Sequence, residues 1–420
     1  MYNTKVSKEN KKKIKALVVI DGHLIVTPDG KIWSQRIYDY NFFKRYLDVF
    51  DSIRVVSRIK ESDNNDNYPN LCSGDNVEFF GIDDFRGPKQ YITKYFTINS
   101  KIKRAFSNCD CAIFRIPSTT GYLFMNKFKK NKLPYSIEVV VDPWDSFSND
   151  KAFYIQIIRR IWTKRLKKAC LQANGVSYVT KNALQNRYPS FAKTYGEDEN
   201  HFESYYSSVK LSKEYFKNSV EYKEKNSELK IIHVSNMIAN STKGHKEIIE
   251  AVSILHNKGI NIKVEFVGQG DKIDFFKEYA NKLNVEDKIK FIGALSSSDE
   301  VRDALMKADM FVFPSHAEGL PRVLIEAMAV GLPCLSTNIN GIPELLDSEY
   351  LVEVGDSKTL AHKIERFIND EKLREVEGKR NIKIAMEYMD DKLQLRRNEF
   401  YKKLYQLAIK SKKKEEKNEW

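Results

Sequence analysis

A chain of 420 residues is longer than one hydrophobic core usually supports, so its length predicts two domains. A composition with 42% hydrophobic and 12% aromatic residues excludes a largely disordered protein. The five cysteines form no CxxC pair, which argues against a disulfide framework or a zinc site and indicates a reducing compartment. No apolar run approaches the roughly 18 residues of a membrane-spanning helix, and we therefore expect a cytoplasmic protein.

The formal net charge of +13 lies entirely in the first half of the chain. Residues 1–215 contain 36 Lys and Arg against 23 Asp and Glu, whereas the later residues contain 34 of each. A basic surface favours anionic partners such as phosphorylated substrates or anionic lipid, although a solvated lysine-rich surface is the alternative. Because the sequence has no nucleic-acid recognition motif, we expect no nucleic-acid partner.

The first half alternates short apolar runs with amphipathic stretches after a basic tail at residues 1–13. This alternation is typical of a parallel α/β sheet, and the absence of GxGxxG after the first strand argues against an NAD site. Arg115 interrupts one apolar run, and we expect it to pair with a carboxylate. The predicted strands and helices are 15–20, 33–50 (helix), 52–57, 77–80, 92–106 (helix), 111–116, 135–141, 153–173 (helix), 175–180 and 181–188 (helix).

Asp142 follows the predicted strand over 135–141 directly, which makes it a candidate site residue. The alternative is a turn aspartate before Pro143. The helix predicted over 153–173 is both basic and amphipathic, and such a helix lies on an anionic membrane or packs on the core with a solvated back. Its predicted apolar stripe consists of Ile155, Ile158, Ile161, Trp162 and Leu166.

The strand pattern restarts at residue 229 after a polar stretch, which predicts a linker near residue 225. The predicted domains are residues 1–225, residues 226–390 and a C-terminal helix with a polar tail over 391–420. In the second domain the predicted strands and helices are 229–234, 245–258 (helix), 263–267, 274–283 (helix), 289–292, 298–308 (helix), 310–313, 321–330 (helix), 332–336, 360–368 (helix), 371–388 (helix) and 392–409 (helix).

Two glutamates eight positions apart lie around the helix predicted over 321–330. Glu318 stands in the preceding loop, and Glu326 lies among apolar helical neighbours. Burying such a carboxylate is costly unless something donates hydrogen bonds to it, as sugar or ribose hydroxyls do. The amides of Gly319 and Leu320, at the helix start, can donate to a phosphate. The alternatives are a helix-surface residue for Glu326 and an acid favoured by the helix dipole for Glu318.

Together with Gly319, Pro321 and the segments 331–333 and 341–344, this pair resembles the Glu-x7-Glu signature of retaining GT-B glycosyltransferases of family four. The resemblance implies that Glu318 contacts the donor sugar and Glu326 the nucleotide ribose. It also implies that Lys243, followed by Gly244, holds the donor diphosphate. An Arg usually precedes that lysine in the family, whereas this chain has Asn236 in the equivalent region. Asn236 and Gly268, which follows the next strand, are further donor-site candidates.

The resemblance implies an α/β fold with two Rossmann-like domains facing a cleft and a C-terminal helix crossing back to the first domain. Gly22 and His23, after the first strand, then face the cleft, although His23 alternatively makes a loop hydrogen bond. Asp142 stands where many relatives have a histidine or an acid of the catalytic region. The candidate catalytic residues are therefore Glu318, Asp142 and His23.

The implied activity is hexosyl transfer with retention from a nucleotide-sugar, for which we favour a UDP-sugar, without an obligatory metal. The implied acceptor is a saccharide or a lipid-linked saccharide in envelope or capsule synthesis. A lipid-linked acceptor agrees with peripheral contact between the basic N-terminal domain and the inner face of the plasma membrane. Two alternatives stay open: a sugar-nucleotide epimerase or phosphorylase of the same fold, and a non-catalytic binding subunit, which the missing Arg favours.

Overall fold

The computed structural model describes residues 13–35, 37–64, 68–146, 152–216, 229–238 and 241–418. Most of the predicted basic tail and the predicted linker near residue 225 lie outside these ranges. Among the described residues, no helix has both the length and the apolarity needed to cross a bilayer.

The N-terminal domain is built on a nine-stranded sheet. Seven strands are parallel in the order β5-β3-β1-β6-β7-β8-β9, and β2 and β4 form an antiparallel extension beside the end of β1. The central strands are buried on both faces, as the short apolar runs predict. The strands are β1 Lys15–Val26, β2 Ile32–Ser34, β3 Ser52–Glu61, β4 Asn70–Leu71, β5 Val77–Asp83, β6 Cys111–Ile116, β7 Tyr135–Val139, β8 Gly175–Tyr178 and β9 Phe202–Tyr205.

Helices cover both faces of this sheet. The helices α2, α3 and α5 pack on one face around a common apolar core, and α1 packs on the other. The helices of this domain are α1 Tyr40–Leu47, α2 Gly87–Phe106, α3 Thr119–Phe128, α4 Pro143–Ser146, α5 Phe153–Gln172, α6 Ala183–Arg187 and α7 Phe191–Tyr195.

The two largest differences in extent from the N-terminal predictions concern the first strand and the first helix. The first strand does not end at Ile20 but continues to Val26, so Gly22 and His23 lie within a strand that is irregular between Val19 and His23. The helix predicted over 33–50 begins only at Tyr40, because residues 32–34 pair with β1. The Asp39 carboxylate accepts the N–H of Phe42 at 2.6 Å and caps that later start.

The C-terminal domain contains a second, fully parallel sheet of six strands in the order β12-β11-β10-β13-β14-β15. Two parallel sheets with flanking helices confirm the predicted pair of Rossmann-like domains. The elements are β10 Leu229–Met237, α8 His245–Asn257, β11 Ile262–Gln269, α9 Ile273–Lys282, β12 Ile289–Gly293, α10 Ser298–Met306, β13 Met310–Phe313, α11 Arg322–Ala329, β14 Cys334–Thr337, β15 Leu351–Val352, α12 Ser357–Asn369 and α13 Glu371–Ala385.

The last helix, α14 (Asp390–Asn418), returns to the N-terminal domain as predicted. Its Tyr401 donates a hydrogen bond of 2.5 Å to the buried Glu138 carboxylate, which also forms an ion pair with Arg115. The predicted pairing of Arg115 with a carboxylate is therefore confirmed. The predicted end of this helix at residue 409 is wrong, because the polar segment that follows is helical to residue 418 and Lys412 pairs with Asp110 at 2.9 Å.

Candidate active site

The candidate donor site lies where the strands β10, β11 and β13 end at one edge of the second sheet. The loop before α8 packs directly on the loop after β13, since the oxygen of Thr242 accepts the N–H of His316 at 2.8 Å. Gly244 has a φ of +79°, and a Cβ there would lie 2.3 Å from the oxygen of Pro314. Only glycine permits this approach, so the two predicted donor loops form one surface.

Lys243 and Glu318 meet directly on that surface. The Lys243 ammonium forms an ion pair with the Glu318 carboxylate, which also accepts the Ser315 hydroxyl at 3.0 Å. The side chains are 31% and 15% exposed, so both remain partly accessible to a ligand. The structure therefore brings together the two residues to which the resemblance assigns the diphosphate and the donor sugar.

Glu326 lies on α11 and is partly buried among apolar residues. This burial raises the pKa of the carboxyl, and Arg322 one turn earlier offsets only part of the increase. Among the described residues, no group donates a hydrogen bond to the Glu326 carboxylate. A partly buried carboxylate without a donor matches the requirement for a hydroxyl-bearing ligand.

The segment before α11 faces the N-terminal domain. A Cβ on Gly319 would lie 3.3 Å from Val179 and 3.5 Å from the oxygen of Val140, and Leu320 is buried. Over the described part of the chain, neither Gly319 nor Leu320 has an acceptor for its N–H. These two N–H groups therefore remain available to donate to a phosphate at the start of the helix, as the sequence predicts.

Asn236 and Gly268 lie at neighbouring strand ends, as predicted. Asn236 is exposed near the end of β10, so its side chain is available to a ligand. Gly268 has a φ of +144°, and a Cβ there would lie 2.1 Å from the oxygen of Ser235. Gly268 thus permits the close approach of the backbones of β10 and β11 near the ends of the two strands. Within the described ranges, no group of three or more His, Cys, Asp or Glu side chains is placed to hold a metal ion.

Asp142 is fully buried and already has three partners. Its carboxylate accepts the N–H of Trp144 at 2.7 Å and the hydroxyl of Tyr188, and it pairs with Arg187. These contacts match the turn alternative for Asp142. A catalytic role for Asp142 stays a prediction, and Asp145 in the same segment becomes a further candidate.

Asp145, three residues later, reaches the interface between the domains. Its carboxylate accepts Arg187 at 3.2 Å and the side-chain amide of Asn340 in the C-terminal domain. Burial, together with the neighbouring Asp142, raises the pKa of Asp145. The same Asn340 amide donates to the backbone oxygen of Glu318 at 2.6 Å, so one side chain connects the N-terminal acid to the donor loop.

His23 and Gly22 form their hydrogen bonds with residues of the N-terminal domain. His23 Nδ1 lies 2.6 Å from Asp84 Oδ1, and the carbonyl of Gly22 accepts the Ser57 hydroxyl at 3.0 Å. In the described structure, no hydrogen bond joins either residue to the C-terminal domain. The hydrogen-bonding alternative therefore accounts for His23, with Asp84 as its partner.

Sequence reasoning missed one contact between the domains, made by Glu344. The Glu344 carboxylate accepts the backbone N–H groups of Lys181, Asn182 and Ala183 at 2.6, 2.9 and 2.6 Å. Glu344 belongs to the motif over 341–344, but nothing in the sequence indicates that its hydrogen-bond donors lie about 160 residues earlier. Similarly, an Asn before a Gly suggests a turn but not that Asn340 reaches the other domain.

Comparison with known proteins agrees with this geometry. A family model described as glycosyl transferases group 1 matches residues 215–383. The chain is 30% identical to protein CapJ of Staphylococcus aureus over 348 residues, which cover 82% of this chain and 85% of CapJ. It is 35% identical to the capsular polysaccharide biosynthesis glycosyltransferase CapM of the same organism over 150 residues, which cover 32% of this chain and 36% of CapM.

Solved structures share the whole architecture. Sucrose-phosphate synthase from Thermosynechococcus elongatus superposes with a TM-score of 0.68 at 14% identity, over 94% of this chain and 99% of that chain. HepE from Anabaena, solved with UDP and glucose, superposes with a TM-score of 0.60 at 14% identity, over 95% of this chain and all of the other. At these identities the likeness concerns the fold alone.

Proposed function

Because this chain belongs to the glycosyl transferases group 1 family and is a glycosyltransferase, we propose that it moves a hexosyl group from a nucleotide-sugar to a saccharide or lipid-linked saccharide. The observation that carries the proposal is Glu326, a partly buried carboxylate for which the described residues supply no hydrogen-bond donor. The two vicinal hydroxyls of a nucleotide ribose would supply these donors and compensate the burial.

The donor diphosphate would lie between Lys243 and the amides of Gly319 and Leu320. A cation together with backbone N–H groups would stabilise the negative charge that develops on a departing diphosphate. In the structure, Glu318 forms an ion pair with Lys243. When the donor phosphate binds the Lys243 ammonium, the Glu318 carboxylate would instead accept hydrogen bonds from the hydroxyls of the transferred sugar. We propose a uridine diphosphate sugar as the donor, the nucleotide held by HepE, and transfer with retention.

The acceptor would enter from the N-terminal domain, beside Asp145. We propose a role in polysaccharide assembly, which the name of CapM supports, with the N-terminal domain at the inner face of the membrane. A non-catalytic binding subunit is the second candidate, because Asn236 replaces a cation that would share the phosphate charge with Lys243.

A thermal-shift series with UDP, GDP and ADP tests the donor site in the wild type and in Glu326→Gln. A ligand at about 100 times its Kd stabilises the folded chain by about 2.7 kcal/mol, a readable shift. We expect a shift with UDP that is reduced in Glu326→Gln. Absence of a shift with every nucleotide would contradict the donor site, and binding without turnover on any saccharide acceptor would favour the non-catalytic subunit.

A further inference from the structure

The helix α5 has apolar side chains on two opposite faces. Leu166, Ala169 and Cys170 are buried against the sheet. Helical spacing places a second apolar set on the other side, and those side chains are 42–81% exposed: Phe153, Tyr154, Ile157 and Ile161. Ile161, predicted for the core-facing stripe, therefore lies on the solvent side. A helix that packs on one face only does not need this second set.

The neighbouring helix α2 shows the same feature, since its Ile92 and Phe96 are 69% and 80% exposed. The helix α3 lies between the two. Phe106 of α2 contacts Phe124 of α3 with ring centroids 5.9 Å apart, and Tyr122 of α3 contacts Trp162 of α5 at 5.6 Å. All three helices cover one face of the sheet, so the outer sides of α2 and α5 point in the same direction.

The six exposed apolar residues form what we call the outer patch: Ile92, Phe96, Phe153, Tyr154, Ile157 and Ile161. The helices that carry it contain eleven Lys and Arg and no Asp or Glu. Arg160, Lys164 and Lys168 are exposed at one-turn spacing on the same side of α5 as Ile157. Lys101 of α2 pairs with Asp83 at 2.6 Å, so it is already neutralised. Exposed aromatic and branched side chains on helices that contain only cationic charges match the interface of an anionic bilayer.

The outer patch adjoins the cleft. Arg159 of α5 donates to the backbone oxygen of Trp144 at 2.6 Å, and its guanidinium carbon lies 3.7 Å from the centroid of the Trp144 ring. Trp144 precedes Asp145, whose carboxylate meets Asn340 across the domain interface. The first half of α5 therefore carries part of the outer patch on its exposed face and contacts Trp144, beside the proposed acceptor position, through Arg159.

We propose that the outer patch docks this chain on an anionic phospholipid bilayer. The apolar side chains would enter the headgroup boundary, and the cations of α2 and α5 would lie against the lipid phosphates. Docking would place the acceptor side of the cleft at the membrane surface. The last step rests on the proposed function, whereas the docking itself depends only on the surface.

Vesicle flotation with the full chain tests docking. Vesicles of phosphatidylcholine alone are compared with vesicles containing 30% phosphatidylglycerol, a composition chosen to supply anionic lipid. We expect at least tenfold tighter binding to the anionic vesicles. The triple variant Arg160→Gln, Lys164→Gln, Lys168→Gln and, separately, Phe153→Ser with Ile157→Ser should each lose at least tenfold of that binding. Phe275→Ser, which removes a 51% exposed phenylalanine of the C-terminal domain, should bind like the wild type.

Equal binding to both vesicle types, no binding to either, or full binding by both patch variants would overturn the proposal. Wild-type dimerisation abolished by Phe153→Ser with Ile157→Ser would also overturn it, because the patch would then be an interface between copies of this chain. The UDP thermal shift separates the two proposals. Patch variants that keep the UDP-induced thermal shift but no longer bind vesicles support docking. A chain that binds vesicles but shows no thermal shift with any nucleotide contradicts only the proposed donor site.

Discussion

Asn340 of the C-terminal domain donates its side-chain amide to the Asp145 carboxylate of the N-terminal domain. The same amide donates to the backbone oxygen of Glu318, the residue expected to contact the donor sugar. Asn340 has a φ of +43°, in the left-handed region that asparagine adopts more often than most residues with a side chain. This asparagine therefore connects the donor loop to an acid of the other domain.

The first prediction separates Asp145 from Asp142. We expect Asp145→Asn to lower kcat/KM on the order of tenfold or more, because it removes the charge beside the donor loop. Its melting temperature should stay close to that of the wild type. Asp142→Asn should instead lower the free energy of unfolding by about 1–3 kcal/mol, because it weakens a buried carboxylate with three donors. Steady-state kinetics and urea unfolding measure both, and full activity in Asp145→Asn would contradict a role in the reaction.

The second prediction concerns domain closure. Glu344 accepts three N–H groups at the start of α6, and a carboxylate there is favoured by both hydrogen bonding and the helix dipole. We expect Glu344→Gln to weaken closure by about 1 kcal/mol and to raise KM for the donor. Small-angle scattering should show a larger radius of gyration than in the wild type. Glu349→Gln weakens the contacts of an exposed carboxylate with Arg366 and Tyr350. It is the control and should leave both measurements unchanged.

The sequence allowed prediction of whatever depends on local patterns. The strand over 111–116 appears with the predicted bounds, because a run of apolar residues ends there at a proline. The family resemblance assigned Lys243 and Glu318 to one donor site, and the structure shows that the two side chains form an ion pair. The contacts of Glu344 and Asn340 depend instead on how one domain sits against the other, and no local pattern encodes that placement.

The choice between Asp142 and Asp145 shows the same limit within one segment. Both acids follow the same strand, and the sequence favoured the nearer one as a site residue. In the structure the Asp142 side chain is buried and accepts a hydrogen bond from Tyr188. Tyr188 lies 46 residues later in the sequence, and its position depends on tertiary packing. Asp145 is left to face the other domain. Proximity to a strand end identifies a candidate segment, but the side chain that points outward depends on tertiary contacts.

The third prediction tests the phosphate contact. We expect Lys243→Gln to weaken UDP binding at least tenfold, because charge-assisted hydrogen bonds to phosphate are worth about 1.5–3 kcal/mol. Binding of uridine, which has no phosphate, should change little. The matched control is Lys246→Gln, which removes a half-exposed lysine of α8 that pairs with Glu250. Calorimetric titration of both ligands into each variant provides the comparison, and an equal loss for uridine and UDP would contradict phosphate binding.

The last prediction uses the raised pKa of Glu326. The carboxyl ionises near its ordinary value of 4.5 in the unfolded chain but only at a higher pH in the folded one. The folded chain therefore binds this proton more tightly, so stability falls as the pH rises through that window and stays lowered above it. Glu326→Gln removes this penalty. Without ligand, we expect the variant to melt at a higher temperature than the wild type at pH 8, with a smaller difference at pH 4.

With UDP bound at pH 8, the wild type should melt at a higher temperature than Glu326→Gln. Because the ionised carboxylate would accept the ribose hydroxyls, the wild type should gain more stability from UDP at pH 8 than Glu326→Gln does. A buried residue that costs stability alone and regains it with ligand is expected of a binding position and not of a packing position. Melting curves at both pH values, with and without UDP, give four comparisons. A variant less stable than the wild type at pH 8 without ligand would assign Glu326 a structural role instead.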